Sequence, residues 1–452
     1  MKFRRLLSIF LLTTILAIHM ALPASAIEQI DIAAKAALLV DPDTGEVLYS
    51  KNVHDKLYPA SLTKIMTAMM VLEAIEDGEL AMDTQITASQ TAIDAVPYDG
   101  STANIKPGDT HTVETLLYCI MVVSANEACN ILGETLAGSI EGFVAEMNAR
   151  AEQLGCTNTH FVTTNGYHDD NHYTTAWDLY LIIQEARKHE SFMKIANTRY
   201  FTKPATPQSK EVTYYTTNLL LSPYRAAGYV YKPAQGIKTG QTSKAGYCLA
   251  SSAVKGDRSL IGIILGAERI TREDGTQVTQ SFTEMTRLFE WGFNSFSRQT
   301  LLTGKELLRE VKVELSEVEQ VVVKPQHSVE RLLPVDVTPK DLLQDITIYQ
   351  EPIDAPVKEG TVLGEVTLRY GDIVYGTVPL LANSSVDASR LLVFRRDAIE
   401  FLSQKKVWYI AGAALGGIIL LSIAIFAASR KRSRYGRPTY HGSANYRGRR
   451  RW

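Results

Sequence analysis

The spacing of apolar and polar positions changes character several times along the chain. "AALLVDPDTGEVLYSKN", Ala36 to Asn52, alternates as two short strands about a Pro-Asp-Thr-Gly turn. From Ser61 to Asp77 apolar residues recur at helical spacing, and Gly78 stops the run. Mostly helical patterning, including "VETLLYCIMVV" and "NEACNILGETLA", extends to about Lys194. Strands return in "GIKTG", "GYCLASSAV" and "SLIGIILGA", and "FTEMTRLFEWGFNSF" closes the region as a helix. Strands, then helices, then strands and a helix predict one α/β (α+β) unit. Its antiparallel sheet is flanked by helices and carries a helical insertion.

The texture changes again after residue 296. "REVKVELSEVEQVVVKP", "DITIYQEP" and "GTVLGEVTLRYGDIVYGTVPLLA" alternate in strand fashion between Gly and Pro turns, which predicts a small separate β domain over 297–390. A linker over 391–407 leads to Trp408–Ser429, 22 residues without a charge. That length spans the ~30 Å hydrocarbon layer as a helix. At the other end, 1–26 reads as a secretory signal. Lys2, Arg4 and Arg5 precede an apolar run, and Ala24-Ser25-Ala26 forms a small-residue cleavage site.

Charge sets the orientation of this plan. The tail 430–452 holds nine Lys or Arg and no acid, which places it in the cytoplasm and the rest of the chain outside, anchored by one pass in membrane lipids. With the tail and the signal set aside, 27–429 carries a net −14, a poor match to nucleic acid. Cys119, Cys129, Cys156 and Cys248 are irregularly spaced, three of them in apolar runs. They are expected to be buried free thiols.

The chemistry starts at "YPASLTKIMTAMM". Residues i and i+3 share a helix face, so Ser61 and Lys64 lie side by side. A serine in a first turn has unpaired backbone N–H groups at the positive end of the helix dipole. A lysine desolvated by "IMTAMM" has a lowered pKa and can take the serine proton as a neutral amine. Ser-x-x-Lys alone is weak, since it also occurs at Ser191, Ser252 and Ser403. The ordered set is specific: Ser61 with Lys64, then Ser124-Ala125-Asn126 in a break between helical runs, then the single Lys238-Thr239-Gly240 on a strand. Ser124 is expected to pass a proton to a leaving amine, and Asn126 to hold a substrate amide. Lys238 and Thr239 offer donors for a carboxylate, and Gly240 lets an extended ligand lie along the strand.

With these blocks, and with "LGCTNTHFVTTNGYHDDNHYTTAWDL" and "GIKTGQTSKAGYCLA" in order, the chain resembles the low-molecular-mass penicillin-binding proteins that are serine D-alanyl-D-alanine carboxypeptidases. The resemblance covers about 27–296 and implies a β-lactamase/transpeptidase-like fold. It implies Ser61 as nucleophile, Lys64 as base, and an oxyanion hole from the backbone N–H groups of Ser61 and Gln241. It also implies an arginine past the third strand for the substrate carboxylate, Arg269 or Arg272, with Arg272 taken here. The substrates implied are peptidoglycan stem peptides ending in D-Ala-D-Ala, with β-lactams as inhibitors and no cofactor or metal. The family's usual tether is an amphipathic C-terminal helix, for which this chain is expected to substitute its spanning helix.

Two other readings compete. A β-lactamase shares the fold, but position 125 is alanine where class A enzymes carry aspartate, and no block for their deacylating glutamate is found. A non-catalytic cell-wall-binding protein is opposed by the intact triple motif. "HDDNH", His168 to His172, crowds possible metal ligands, but clustering alone does not fix a coordination geometry.

Overall fold

A computed structural model describes residues 30–433; the signal segment and most of the basic tail lie outside the described residues. The chain divides into two compact units. Among the described residues, the first holds 30–301 and 330–342 and the second holds Leu302–Val329 with everything from Leu343 onward. The boundary expected at 296/297 is therefore interrupted. The strand at Val329–Pro334 pairs with Phe296–Leu302, which a local pattern of alternation does not reveal.

The first unit is built on a five-stranded antiparallel sheet of β1 (Ala36–Val40), β2 (Val47–Lys51), β3 (Ala234–Thr242), β4 (Gly246–Lys255) and β5 (Arg258–Ala267), in the order β2-β1-β5-β4-β3. Strand side chains alternate between faces, and here both faces are covered. Ala36, Leu38 and Val40 join one core with Ile65 and Met69 of helix α1 (Lys64–Glu76). Ala37 and Leu39 join the other with Met285 and Phe289 of helix α3 (Gln280–Ser295). This double coverage explains why β1 and β5 read as unbroken apolar runs. Each fully buried Leu, Ile or Met contributes about 1.5–3 kcal/mol, so α1 is held to the sheet by packing and needs no side-chain cap. The helical insertion lies between β2 and β3 in sequence and includes helix α2 (Asn126–Ala137). β3 is an edge strand of the sheet, so one of its sides is open to a ligand.

The second unit is a six-stranded sheet over a core that includes Val311, Val323, Val366, Leu368 and Leu380. Within the expected linker, Arg390–Ser403 forms a helix, with Leu391, Phe394 and Phe401 exposed. The spanning segment lies within a second helix, Lys405–Ser433. Among the described residues, its part Lys405–Arg430 is the one helix long and apolar enough to cross a membrane. The chain thus carries an amphipathic helix ahead of the long apolar one, where the apolar one was expected to replace it.

Candidate active site

Ser61 does not open α1 itself. It sits in a 3₁₀ turn, Ala60–Thr63, that runs directly into α1 at Lys64. The turn keeps the three-residue spacing, and Lys64 Nζ lies 2.9 Å from Ser61 Oγ. Its other two contacts are Asn126 Oδ1 and the Asn165 carbonyl, each at 2.7 Å. Both are pure acceptors, so they fix two N–H bonds of the amine. The serine hydroxyl is the only partner able to donate. A neutral Lys64 therefore keeps two donor bonds and turns its lone pair to the Ser61 proton. Burial favours that neutral form: Lys64 has no exposed surface, and desolvation lowers its pKa from 10.5 to about 8, against weaker opposing effects of Cys129 and Glu127.

Sequence reasoning did not find the groups that hold this turn. Ala60, next to Ser61, has φ +49°, a costly conformation for a residue with a side chain. His172 Nδ1 accepts the N–H groups of Val162 (3.0 Å) and Thr163 (3.3 Å), so its proton sits on Nε2. Nε2 donates to Thr63 Oγ1 (2.8 Å), which donates to the Ala60 carbonyl (2.9 Å). Burial pushes His172 down to about 3 and keeps the ring neutral. The same carbonyl lies 1.9 Å from where a Cβ on Gly166 would stand, so only glycine fits there. In the sequence His172 reads as part of a polar cluster; its neighbours from Val162 and Thr63 are visible only in three dimensions.

Ser124 follows a buried π-helical turn, Cys119–Val123, and takes a left-handed conformation at φ +67°. Its Oγ is buried with no hydrogen-bond partner among the described residues. Asn126 begins α2, and its N–H donates to the Ser101 carbonyl (2.8 Å). Next to it, buried Glu127 anchors the loop before α2 by accepting from Thr102 Oγ1 (2.6 Å) and the Ala103 N–H (2.7 Å). All four cysteines are free and buried.

Lys238, Thr239 and Gly240 lie on β3. Lys238 is buried, and Nζ donates to the Thr239 carbonyl (3.0 Å). Burial holds its pKa well below the usual lysine range, and the charge of Lys64 pushes the same way. Thr239 Oγ1 is 2.6 Å from Thr217 Oγ1. Gly240 packs on the turn that carries Ser61: a Cβ there would stand 2.8 Å from the Pro59 carbonyl and 3.1 Å from the Ser61 nitrogen. Gly240→Ala should therefore push β3 off Ser61. A displacement near 1 Å costs on the order of 10²-fold in rate, so acylation by labelled penicillin should slow by about that factor. A wild-type acylation rate in this variant would show that the close approach is dispensable. Gln241 follows on the same strand and is exposed.

Ser61, Lys64 and Asn126 are thus joined by hydrogen bonds, and Gly240 touches the same turn. Arg272 is not brought to them. It is exposed in the hairpin turn after the short strand Arg269–Thr271, where its backbone bonds Thr276 and Gly275. Arg269 is nearer: its guanidinium lies over the Tyr247 ring at 5.5 Å, and Tyr247 is the register partner of Gln241.

The fold and this arrangement define a serine-type peptidase of the penicillin-binding class. The chain belongs to the D-alanyl-D-alanine carboxypeptidase family, whose model matches 23–269, and a model of the penicillin-binding protein 5 C-terminal domain matches 296–388. It is 30% identical to D-alanyl-D-alanine carboxypeptidase DacF of Bacillus subtilis, over 80% of this chain and 88% of that one. The structure resembles penicillin-binding protein 5 from Haemophilus influenzae, with TM-score 0.63, 25% identity, and 80% and 100% of the two chains covered. It shares its fold with the D-alanyl-D-alanine carboxypeptidase DacD from Francisella tularensis, at TM-score 0.65, 24% identity, and 80% and 96% coverage.

Proposed function

We propose that the protein removes the terminal D-alanine from peptidoglycan stem peptides through an acyl-enzyme on Ser61. The observation that carries this reading is the set of contacts at Lys64, a buried amine with two fixed acceptors and one nucleophilic hydroxyl. Lys64 takes the Ser61 proton as Oγ attacks the carbonyl of the penultimate D-alanine. The backbone N–H groups of Ser61 and Gln241 hold the oxyanion. The C–N bond then breaks, and Ser124 relays the proton from Lys64 to the departing amine. Water, deprotonated by the same groups, attacks the ester and restores Ser61. Asn126 holds the substrate amide. Lys238 and Thr239 hold the terminal carboxylate, whose charge compensates a lysine buried without a counter-ion among the described residues. Of the two arginines, Arg269 is the better placed to assist.

A β-lactam acylates Ser61 in the same way, but its leaving group stays tethered and obstructs the water. Peptide acyl-enzyme should therefore turn over much faster than penicilloyl-enzyme. The test is D-alanine release from a peptide ending in D-Ala-D-Ala by the detergent-solubilised protein. An enzyme that labels with penicillin but releases no D-alanine contradicts the reading.

The membrane orientation is part of the proposal. The spanning helix and the basic residues after it support a catalytic unit outside the cell and a C-terminus in the cytoplasm. Protease added to intact cells should digest the catalytic unit and spare an epitope placed on the C-terminus. Loss of that epitope without permeabilisation would reverse the topology.

A further inference from the structure

Beside the nucleophile's turn, a cavity of about 210 Å³ is lined by Lys35, Lys56 and Lys244 together with Tyr58, Asp170 and Tyr173. The three lysines are exposed, and none is in an ion pair among the described residues. Lys56 Nζ lies over the Tyr173 ring at 4.5 Å. One carboxylate shares the cavity, so three lysines face a single acid: Asp170 Oδ1 is 3.2 Å from His168 Nε2 and 3.5 Å from the Tyr58 hydroxyl. Lysines from three separate segments thus line one concavity, in a chain whose residues 27–429 carry a net −14. Like charges do not gather in a hollow for stability. They are complementary to an anion.

The position of the cavity says where that anion comes from, given the proposed reaction. β3 passes Ser61 at Gly240, with Lys238 and Thr239 on the leaving-group side. The acyl side of the substrate then runs past Gln241 and Thr242 towards the turn that carries Lys244. Lys244 is four residues beyond Gly240, at most roughly 13 Å along an extended strand. The residue preceding the acylating D-alanine has its Cα about 3.8 Å further from the ester, and a long side chain on it covers much of the remaining distance. Tyr58, which also lines the cavity, is three residues before Ser61.

We propose that this cavity is a specificity subsite for a carboxylate on the side chain of the residue two before the released D-alanine. The inference rests on the carboxypeptidase reading for the direction in which the substrate lies. It makes the enzyme selective for stem peptides whose third residue keeps a free side-chain carboxylate, over peptides in which that position is amidated or carries a terminal amine.

The test uses three acetylated tripeptides X-D-Ala-D-Ala, with X as 2-aminoadipate, its side-chain amide, or lysine. Binding is measured to the full-length Ser61→Ala protein in detergent, which cannot turn the peptides over. Three lysines acting together should make the aminoadipate peptide bind on the order of tenfold more tightly than the lysine peptide. The difference should shrink in 1 M salt, where the screening length falls to about 3 Å. Lys56→Glu with Lys244→Glu should invert the order. Both peptides are compared on one protein, so a general loss of affinity cancels from the ratio. Equal affinities, or a preference unmoved by the double reversal, overturn the subsite. D-alanine release by the unsubstituted protein is read separately: its absence from all three peptides defeats the carboxypeptidase reading, while the binding ratios still decide the cavity.

Discussion

Ser61→Ala should lose D-alanine release by roughly 10⁴-fold or more and lose covalent penicillin labelling altogether. Removing the nucleophile of such a unit leaves only the rate enhancement due to binding and the oxyanion donors. The fold should be unaffected. Ser61 is half-buried, and its hydroxyl is bonded to the Lys64 amine, which keeps its two buried acceptors in the variant. The melting temperature of the catalytic unit should therefore move little, since substitutions away from tight packing stay within about 0.5 kcal/mol. Substrate should still bind, because Asn126, Lys238 and Thr239 are untouched. The signature is loss of chemistry with binding and folding retained. An alanine variant that still labels places the nucleophile elsewhere.

Lys64→Ala should slow acylation by about 10²–10⁴-fold, the usual worth of a positioned general base. It also leaves Asn126 Oδ1 and the Asn165 carbonyl without their shared donor. The unsubstituted enzyme gives a finer test through pH. The reactive form is the neutral amine, and its pKa is lowered to about 8 by burial. Acylation should rise about tenfold per pH unit below 8 and level off above it. The same shift acts on stability. A lysine whose folded pKa lies below its unfolded value binds more protons when unfolded, so its contribution to stability is lowest below about pH 8 and grows as pH rises towards 10.5. A shift of that size is worth about 3 kcal/mol. Acylation rates independent of pH between 6 and 9 would remove Lys64 as the base.

The legible part of the site is the part encoded by short spacings. Ser61 and Lys64 meet because they are three residues apart on one turn, and the pattern around Lys238-Thr239-Gly240 suffices to place that motif on a strand, though its edge position emerges only from the sheet order. What the sequence hides is long-range. The Asn165 carbonyl that fixes Lys64 is 101 residues away, and it is a backbone group that no residue type announces. His172 looks like a candidate ligand beside Asp169 and Asp170, but its two nitrogens are used by Thr63 and by the Val162 and Thr163 N–H groups. Arg269 and Arg272 cannot be ranked by spacing, because a hairpin bends the chain between them and Thr279. In the fold, alternation locates the strands of the second half but not their partners. That is why Val329–Pro334 belongs with Phe296–Leu302 and not with its sequence neighbours. The segment Arg390–Ser403 reads as a linker because its charges interrupt the apolar positions, although their spacing suits an amphipathic helix.

The central claim is that acyl transfer passes through Ser61, and peptide mapping of the trapped adduct tests it most directly. The solubilised protein is reacted with penicillin, denatured while the adduct survives, digested, and sequenced by mass spectrometry. A single penicilloyl group on the peptide containing Ser61 is the expected result. Label on Ser124 or Ser191, or a stoichiometric adduct anywhere else, would contradict the account.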